Sequence, residues 1–139
     1  MAKEAMRALK QVEPPDTTPA LTRLLSESAL YRAALGACGF PVVILDAADP
    51  ARPALYVNPA FEEFFGRSPE ESLGCPLAQL VLRGDEPLAH RLLAGSRSHW
   101  QINVWTKDGA ARRVETTIGA VRGPDGRVSH WVAAFAAVP

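Results

Sequence analysis

The chain has 139 residues, of which 47% are hydrophobic and 22% charged, and this ordinary globular composition argues against a disordered or fibrous protein. Fifteen basic residues balance fifteen acidic residues, so no charge imbalance indicates nucleic acid or an anionic membrane as a partner. No apolar run approaches the roughly 20 residues that span a bilayer, and Cys38 and Cys75 lack disulfide-framework or zinc-ligand spacing, so we expect a reduced, cytoplasmic protein.

The N-terminal part of the chain predicts a leader followed by a helix. Residues 1–19 contain three prolines among small and polar residues, which predicts a flexible leader. Residues 20–36 predict an amphipathic helix, because apolar side chains recur there at three- and four-residue steps: Leu21, Leu24, Leu25, Tyr31 and Leu35. This apolar stripe is equally consistent with packing on the domain's own core and with a contact to a second molecule. The globular domain is predicted at residues 37–139.

Two short strands and several short helices are predicted next. Residues 40–45 form a run rich in β-branched side chains, and a loop with two prolines joins it to a second short run at residues 54–57. Asn58 and Ser68 each precede a proline, which matches a helix start with a capping side chain and proline at the first helical position. A further helical pattern follows a predicted loop at residues 83–86.

The C-terminal part predicts three antiparallel strands. Residues 100–105 and 113–120 alternate apolar and polar side chains around a turn at residues 107–109, and a turn at residues 123–126 leads into a last strand at residues 128–138. We expect one buried face under the helices, formed by Trp100, Ile102, Val104, Val114, Thr116, Ile118, Trp131, Ala133 and Phe135. The polar member of this set carries a hydroxyl that we expect to bond a neighbouring backbone group.

Five short segments carry a resemblance to a known family. They are Pro41–Asp46, Leu55–Phe61, Ser68–Gly74, Thr106–Gly109 and Gly123–Gly126. In these segments, and in their order, the chain resembles the PAS domains, and most closely the LOV branch that includes flavin photoreceptors. The resemblance implies an α+β fold: a five-stranded antiparallel sheet with short helices on one face and an N-terminal amphipathic helix. It also implies a sensory or protein-interaction module in signal transduction.

The positions that hold flavin in LOV domains carry other residues here. By the resemblance, the cysteine that bonds to flavin in light falls on Leu77. The two asparagines and the glutamine that bond the flavin ring fall on Val104, Val114 and Phe135. Cys75 lies two residues earlier, which turns its thiol by about 200° on a helix, so it does not replace the family's cysteine. Because unpaired buried polar groups cost about 1–3 kcal/mol each, no flavin or other cofactor is predicted.

The remaining chemistry-bearing residues predict neither catalysis nor a metal site. His90 is a candidate for a haem ligand, because haem-binding PAS domains take their iron ligand from the corresponding helix. It is a weak candidate, because the family's ligand lies about one turn earlier on that helix. His99 and His130 lie at polar positions near strand starts, where we expect solvent exposure. The sequence has no P-loop, nucleophile elbow or Ser/His/Asp order, so we do not expect an enzyme.

The outer face of the last strands predicts an assembly surface. If Trp131 and Phe135 point inward, then Val132, Ala134 and Ala136 point outward, and the alternation also places Trp105 outside. Exposed apolar patches usually mark interaction sites. We therefore expect a homodimer in which this face packs against Leu21, Leu24, Leu25, Tyr31 and Leu35. The alternative is a monomer whose helix folds back onto its own sheet.

The sequence thus predicts a non-catalytic PAS module that acts through homodimer contacts and an effector domain or signalling protein, with no nucleic acid or membrane partner. The alternative is a sensor that binds an apolar ligand or haem in the PAS cavity, lined by Leu77 and the inner-face residues of the last three strands. An absorption spectrum separates haem or flavin binding from the other cases.

Overall fold

A computed structural model of the chain describes residue 30 and residues 33–139. The predicted leader and most of the predicted helix at residues 20–36 lie outside this part, so Leu21, Leu24, Leu25 and Tyr31 are not among the described residues. Residues 33–37 are helical. The chain divides into two units, Met1–Ala37 and Cys38–Pro139, and the second unit contains the sheet.

The second unit is built around one five-stranded antiparallel sheet. Its strands are β1 (Val42–Asp46), β2 (Ala54–Val57), β3 (Arg97–Trp105), β4 (Ala111–Arg122) and β5 (Val128–Ala137). They lie in the order β2-β1-β5-β4-β3, so the first strand pairs with the last. This sheet, together with short helices on one side, confirms the predicted fold class.

The segment between β2 and β3 forms short helices. They are α1 (Pro59–Phe65), α2 (Pro69–Ser72), α3 (Leu77–Val81) and α4 (Glu86–Leu92). The first two begin as predicted, with Asn58 and Ser68 as caps and a proline at the first position. The loop predicted at residues 83–86 separates the last two helices, and Asp85 caps α4 by accepting from the backbone N–H of Leu88 at 3.1 Å.

Asn58 joins the first strand to the first helix. Its Oδ1 accepts from the backbone N–H groups of Phe61 and Val42, each at 2.9 Å, and its Nδ2 donates to the carbonyl of Phe40 at 2.8 Å. The side chain is fully buried, so these bonds form away from competing water. The strand therefore begins at Val42, two residues later than predicted, since the backbone before it bonds to this side chain.

Candidate functional site

The inner face of the three long strands is the face that the alternation predicted. Trp100 pairs with Thr116, Thr116 pairs with Phe135, and Ile118 pairs with Ala133, so inward side chains form rows across the strands. Every member of the predicted inner-face set is buried except Trp100, which is partly buried. The alternation of faces is therefore confirmed, while a ligand-binding role for these residues stays a prediction.

Helix α1 lays two aromatic rings over the centre of this face. The ring centroids of Phe61 and Phe65 are 4.5 Å apart, and that of Phe65 lies 5.4 Å from the ring of Phe135 in an edge-on arrangement. Such tilted and edge-on contacts stabilise aromatic pairs beyond the burial of their surface. The helical layer thus packs on the sheet through an aromatic cluster at β5.

Side chains fill the part of the core where the resemblance placed the flavin-binding positions. Val104 and Val114 are 0% exposed, and Leu77 and Phe135 are 2% exposed. An internal void wide enough for a water molecule exposes the side chains that line it, so protein atoms contact these four on nearly all sides. A flavin ring requires this packing to open.

Two inner-face side chains carry polar groups. The hydroxyl of Thr116 donates to the carbonyl of Ala134 at 3.0 Å, as the sequence predicted for it. The indole Nε1 of Trp100 is buried and has no acceptor among the residues that the structure describes. A buried donor without a partner costs about 1–3 kcal/mol of stability. This N–H is therefore available to an acceptor from a bound molecule.

The cysteine and histidines lie away from the centre of the inner face. The Cys75 thiol is partly buried and donates to the carbonyl of Glu71 at 3.4 Å. His90 is exposed on α4, and His99 is exposed on β3 as predicted. His130 is only half-buried, and its Nδ1 lies 2.9 Å from the hydroxyl of the preceding residue, so it is less exposed than the alternation predicted.

An apolar stripe runs along the outer face of β1 and β5. Val42 pairs with Ala134 and Ile44 pairs with Val132, so small and branched side chains meet across the two strands. Phe40, in the next row, is 56% exposed, whereas Val42 is 4% exposed and the remaining members are half-buried. We call this surface the outer stripe, and its residues are Phe40, Val42, Ile44, Val132, Ala134 and Ala136. Sequence reasoning missed its β1 residues because an uninterrupted apolar run does not distinguish the two faces of a strand.

The middle of the outer face of β3 and β4 is polar. The His99 Nδ1 lies 3.0 Å from the hydroxyl of Thr117, and the amide of Gln101 donates to the Glu115 carboxylate at 3.2 Å. A shallow groove separates this polar half from the outer stripe, with Phe40 on one side and His99 on the other. The outer face is therefore divided into an apolar and a polar half.

The sheet register separates Trp105 from the outer stripe. Trp105 pairs with Ala111, whereas Val132 pairs with Gly119, and the eight intervening steps along β4 span about 26 Å at about 3.3 Å per residue. The guanidinium of Arg83 lies 5.1 Å from the centroid of the Trp105 ring. Trp105 and Val132 therefore lie far apart along the sheet, because alternation assigns a residue to a face but not to a place along it, and a shared role of Trp105 and the β5 residues in an interface stays a prediction.

An exposed ion pair connects α2 to the β3–β4 turn. The Glu71 carboxylate bonds the Lys107 ammonium and accepts from the backbone N–H of Ser68 at 2.9 Å. These bonds lower the pKa of Glu71 from 4.5 to about 2, with the Lys107 bond as the larger cause. In the same turn, the Thr106 hydroxyl lowers the pKa of the Asp108 carboxyl. Both carboxylates have structural partners.

The sequence profile of one family covers most of the chain. The PAS fold family matches residues 29–137. The chain belongs to this family. The PAS domain is also 30% identical over 122 residues, or 84% of the chain, to the bacterioopsin transcriptional activator of Halobacterium salinarum. It spans only 17% of the length of that protein.

Solved structures with the same fold include LOV proteins. An RNA-binding light-oxygen-voltage receptor superposes with a TM-score of 0.72 at 23% identity, over 92% of this chain and 34% of that chain. The Rhodobacter sphaeroides LOV protein gives 0.70 at 18% identity, over 82% of this chain and 68% of that one. The LOV domain of a blue-light activated histidine kinase from Erythrobacter litoralis gives 0.60 at 22% identity, over 71% and 95%. The predicted PAS and LOV-like resemblance is confirmed.

The family also gives the general class of function. PAS domains are generally non-catalytic sensory modules, and this domain is a PAS sensory module. Among residue 30 and residues 33–139, no helix is long and apolar enough to cross a membrane. The same part of the chain contains no group of three or more His, Cys, Asp or Glu side chains placed to hold a metal ion.

Proposed function

We propose that this PAS domain is a non-catalytic signalling module that acts through contacts between two copies of the chain and passes its signal to an effector domain or protein. The observation that supports this most directly is the outer stripe. Phe40 is 56% exposed at its end, and apolar side chains continue along β1 and β5. A partly exposed apolar surface that continues across two neighbouring strands usually marks an interaction site.

A second copy fits the divided outer face better than an unrelated partner. A two-fold contact pairs a surface with itself, so an apolar half can cover an apolar half while polar groups remain at the margin. The polar half carries both signs of charge, with Arg113 next to Glu115 along β4. The chain has a formal net charge of zero, so two copies do not repel each other through net charge.

The predicted N-terminal contribution to this interface remains a proposal. Leu35 is half-buried in the helical residues 33–37, and Leu30 is 64% exposed. We propose that the predicted helix at residues 20–36 adds its apolar stripe to the interface. The relative from Halobacterium salinarum is a transcriptional activator, which supports an effector linked to this domain. The proposed compartment is the cytoplasm.

Oligomeric state tests the proposal directly. We expect the wild-type chain to sediment as a dimer, and the double variant Phe40→Glu with Val132→Glu to sediment as a monomer, because charges then face each other in the apolar half. Leu73→Glu is the matched control, since Leu73 is an apolar side chain 46% exposed outside the outer face. A wild-type monomer at every accessible concentration contradicts the dimer, and a dimeric double variant contradicts this interface.

We also propose that the domain is not a flavin photoreceptor. The residues at the corresponding positions, Leu77, Val104, Val114 and Phe135, offer no side-chain hydrogen bonds and are buried in the core. We expect the purified protein to be colourless. Its absorbance between 350 and 500 nm should correspond to flavin in no more than about a few per cent of the molecules. Stoichiometric flavin that bleaches reversibly in blue light contradicts this proposal.

One observation favours a second candidate, the binding of a small, mainly apolar molecule beside Trp100 when the packing of the inner face opens. The buried indole N–H of Trp100 lacks an acceptor among the described residues, and a ligand carbonyl could accept from it. Native mass spectrometry of the purified protein tests this. A bound mass that Trp100→Phe removes supports the candidate, and an unliganded mass after expression in several hosts contradicts it.

A further inference from the structure

A small pocket lies at the margin of the helical layer, away from the outer stripe. The β1–β2 loop, the start of α3 and the length of α4 enclose a volume of about 120 Å³. The apolar wall of the pocket is formed by three buried residues, Leu77, Ala89 and Leu93. One water molecule needs about 10–15 Å³ of such volume, so the pocket has room for several waters or for an organic molecule of a few carbon atoms.

A guanidinium group is held at this pocket. Arg52 lines it and donates from Nη1 to the carbonyl of Leu93 at 3.3 Å, while its guanidinium lies 6.0 Å from the centroid of the Trp131 ring. The backbone supports this placement: Arg52 has a φ of 50° and its N–H donates to the carbonyl of Asp49 at 2.8 Å. The loop therefore presents a side chain that two contacts already orient.

The guanidinium keeps donors for a further partner. A guanidinium has five N–H groups, and one bond to Leu93 accounts for one of them. In the described part of the chain, no carboxylate lies within ion-pair distance of Arg52. A half-buried guanidinium without a carboxylate partner, beside an apolar wall, is suited to an anionic ligand with an apolar tail.

The other charged and titratable groups at the pocket narrow the ligand class. His90 and Glu86 are both exposed and line it. His90 adds a ring N–H that can donate to an anion, whereas the Glu86 carboxylate repels a second negative charge. We propose that this pocket binds a small aliphatic monocarboxylate, with its carboxylate on Arg52 and its carbon chain against Leu77 and Ala89.

Titration of the ¹⁵N-labelled full chain with butyrate tests this site. We expect saturable amide shifts at residues 51–52, 77–78 and 89–90. Butyramide, which has the same size without the charge, and inorganic phosphate, which carries more charge, should each bind about tenfold more weakly or worse, the change expected when a charge-assisted hydrogen bond is lost or opposed.

Three variants sharpen the test. Arg52→Gln should weaken butyrate binding by about tenfold or more, and Glu86→Gln should strengthen it by about two- to threefold, because a repelling charge is removed. Arg83→Gln is the matched control, since Arg83 also has a positive φ, 54°, and also lies over a tryptophan ring, but does not line the pocket. Its binding should equal that of the wild type.

Several results overturn the proposal. They are the absence of saturable shifts at the pocket, equal binding of butyramide and butyrate, and an equal loss of binding in Arg83→Gln and Arg52→Gln. If Arg52→Gln does not fold, Glu86→Gln still decides, because unchanged or weaker binding in that variant contradicts a carboxylate beside Glu86.

Discussion

The two faces of the sheet are made by the same strands but meet different surroundings. On the inner face, the rows are apolar apart from the Thr116 hydroxyl and the Trp100 indole N–H, and Val104, Val114 and Thr116 are fully buried. On the outer face, the outer stripe of β1 and β5 is apolar, while the middle of β3 and β4 is polar. The inner face therefore forms one core, whereas the polarity of the outer face changes from strand to strand. Only the apolar half of the outer face is suited to a protein contact.

A pair of phenylalanine variants should give the largest difference between the faces. Phe135 is inward and contacts Phe65, while Phe40 is outward and 56% exposed. We expect Phe135→Ala to lower the free energy of unfolding by about 3–5 kcal/mol because it leaves a cavity. Phe40→Ala should change it by less than about 1 kcal/mol. Urea denaturation at a concentration where the chain is monomeric measures both, and similar losses would contradict the assignment of faces.

Two neighbouring threonines give a smaller difference. Thr116 is buried and donates to the carbonyl of Ala134, whereas Thr117 is half-buried on the outer face beside His99. We expect Thr116→Val to cost about 1 kcal/mol, since valine keeps the shape but loses the buried hydrogen bond. Thr117→Val should stay within about 0.5 kcal/mol of the wild type. If Thr117→Val lowers the stability in thermal unfolding by more than Thr116→Val does, the hydrogen bond of Thr116 does not stabilise the inner face.

The smallest effect concerns the exposed ion pair of Glu71 and Lys107, outside both faces. The pKa of Glu71 is about 2 in the folded chain and 4.5 ordinarily, so the folded state favours the charged form. Its contribution to stability is therefore present above about pH 4.5 and is lost as the pH falls toward 2. The pair is solvent-exposed, so salt weakens it.

The measurement is the melting temperature at pH 7 and at pH 3. Wild type should lose more on acidification than Glu71→Gln, and Glu70→Gln, which changes the adjacent residue on α2, should behave like the wild type. Equal pH dependence in the wild type and Glu71→Gln would show that this carboxylate has the same pKa in the folded and unfolded chains.

Several features could be predicted because they depend on near neighbours in the chain. The caps at Asn58 and Ser68 follow from short side chains that bond the first free N–H groups of a helix. The inner face of the last three strands follows from alternation, because successive side chains of a strand point to opposite sides. These local rules predicted the elements and most of the core, and the resemblance to the PAS domains supplied the fold class.

The candidate sites depended on tertiary structure. Only the strand order placed β1 beside β5, which adds Phe40 to the outer stripe, and only the register moved Trp105 about 26 Å away from the row of Val132. Likewise, only folding brought Arg52 to Leu93 and Trp131. The sequence by itself determined which residues form each strand and helix, since those preferences are local. The tertiary structure decided which surfaces meet, because strand order and register follow from packing between segments that are distant in the chain.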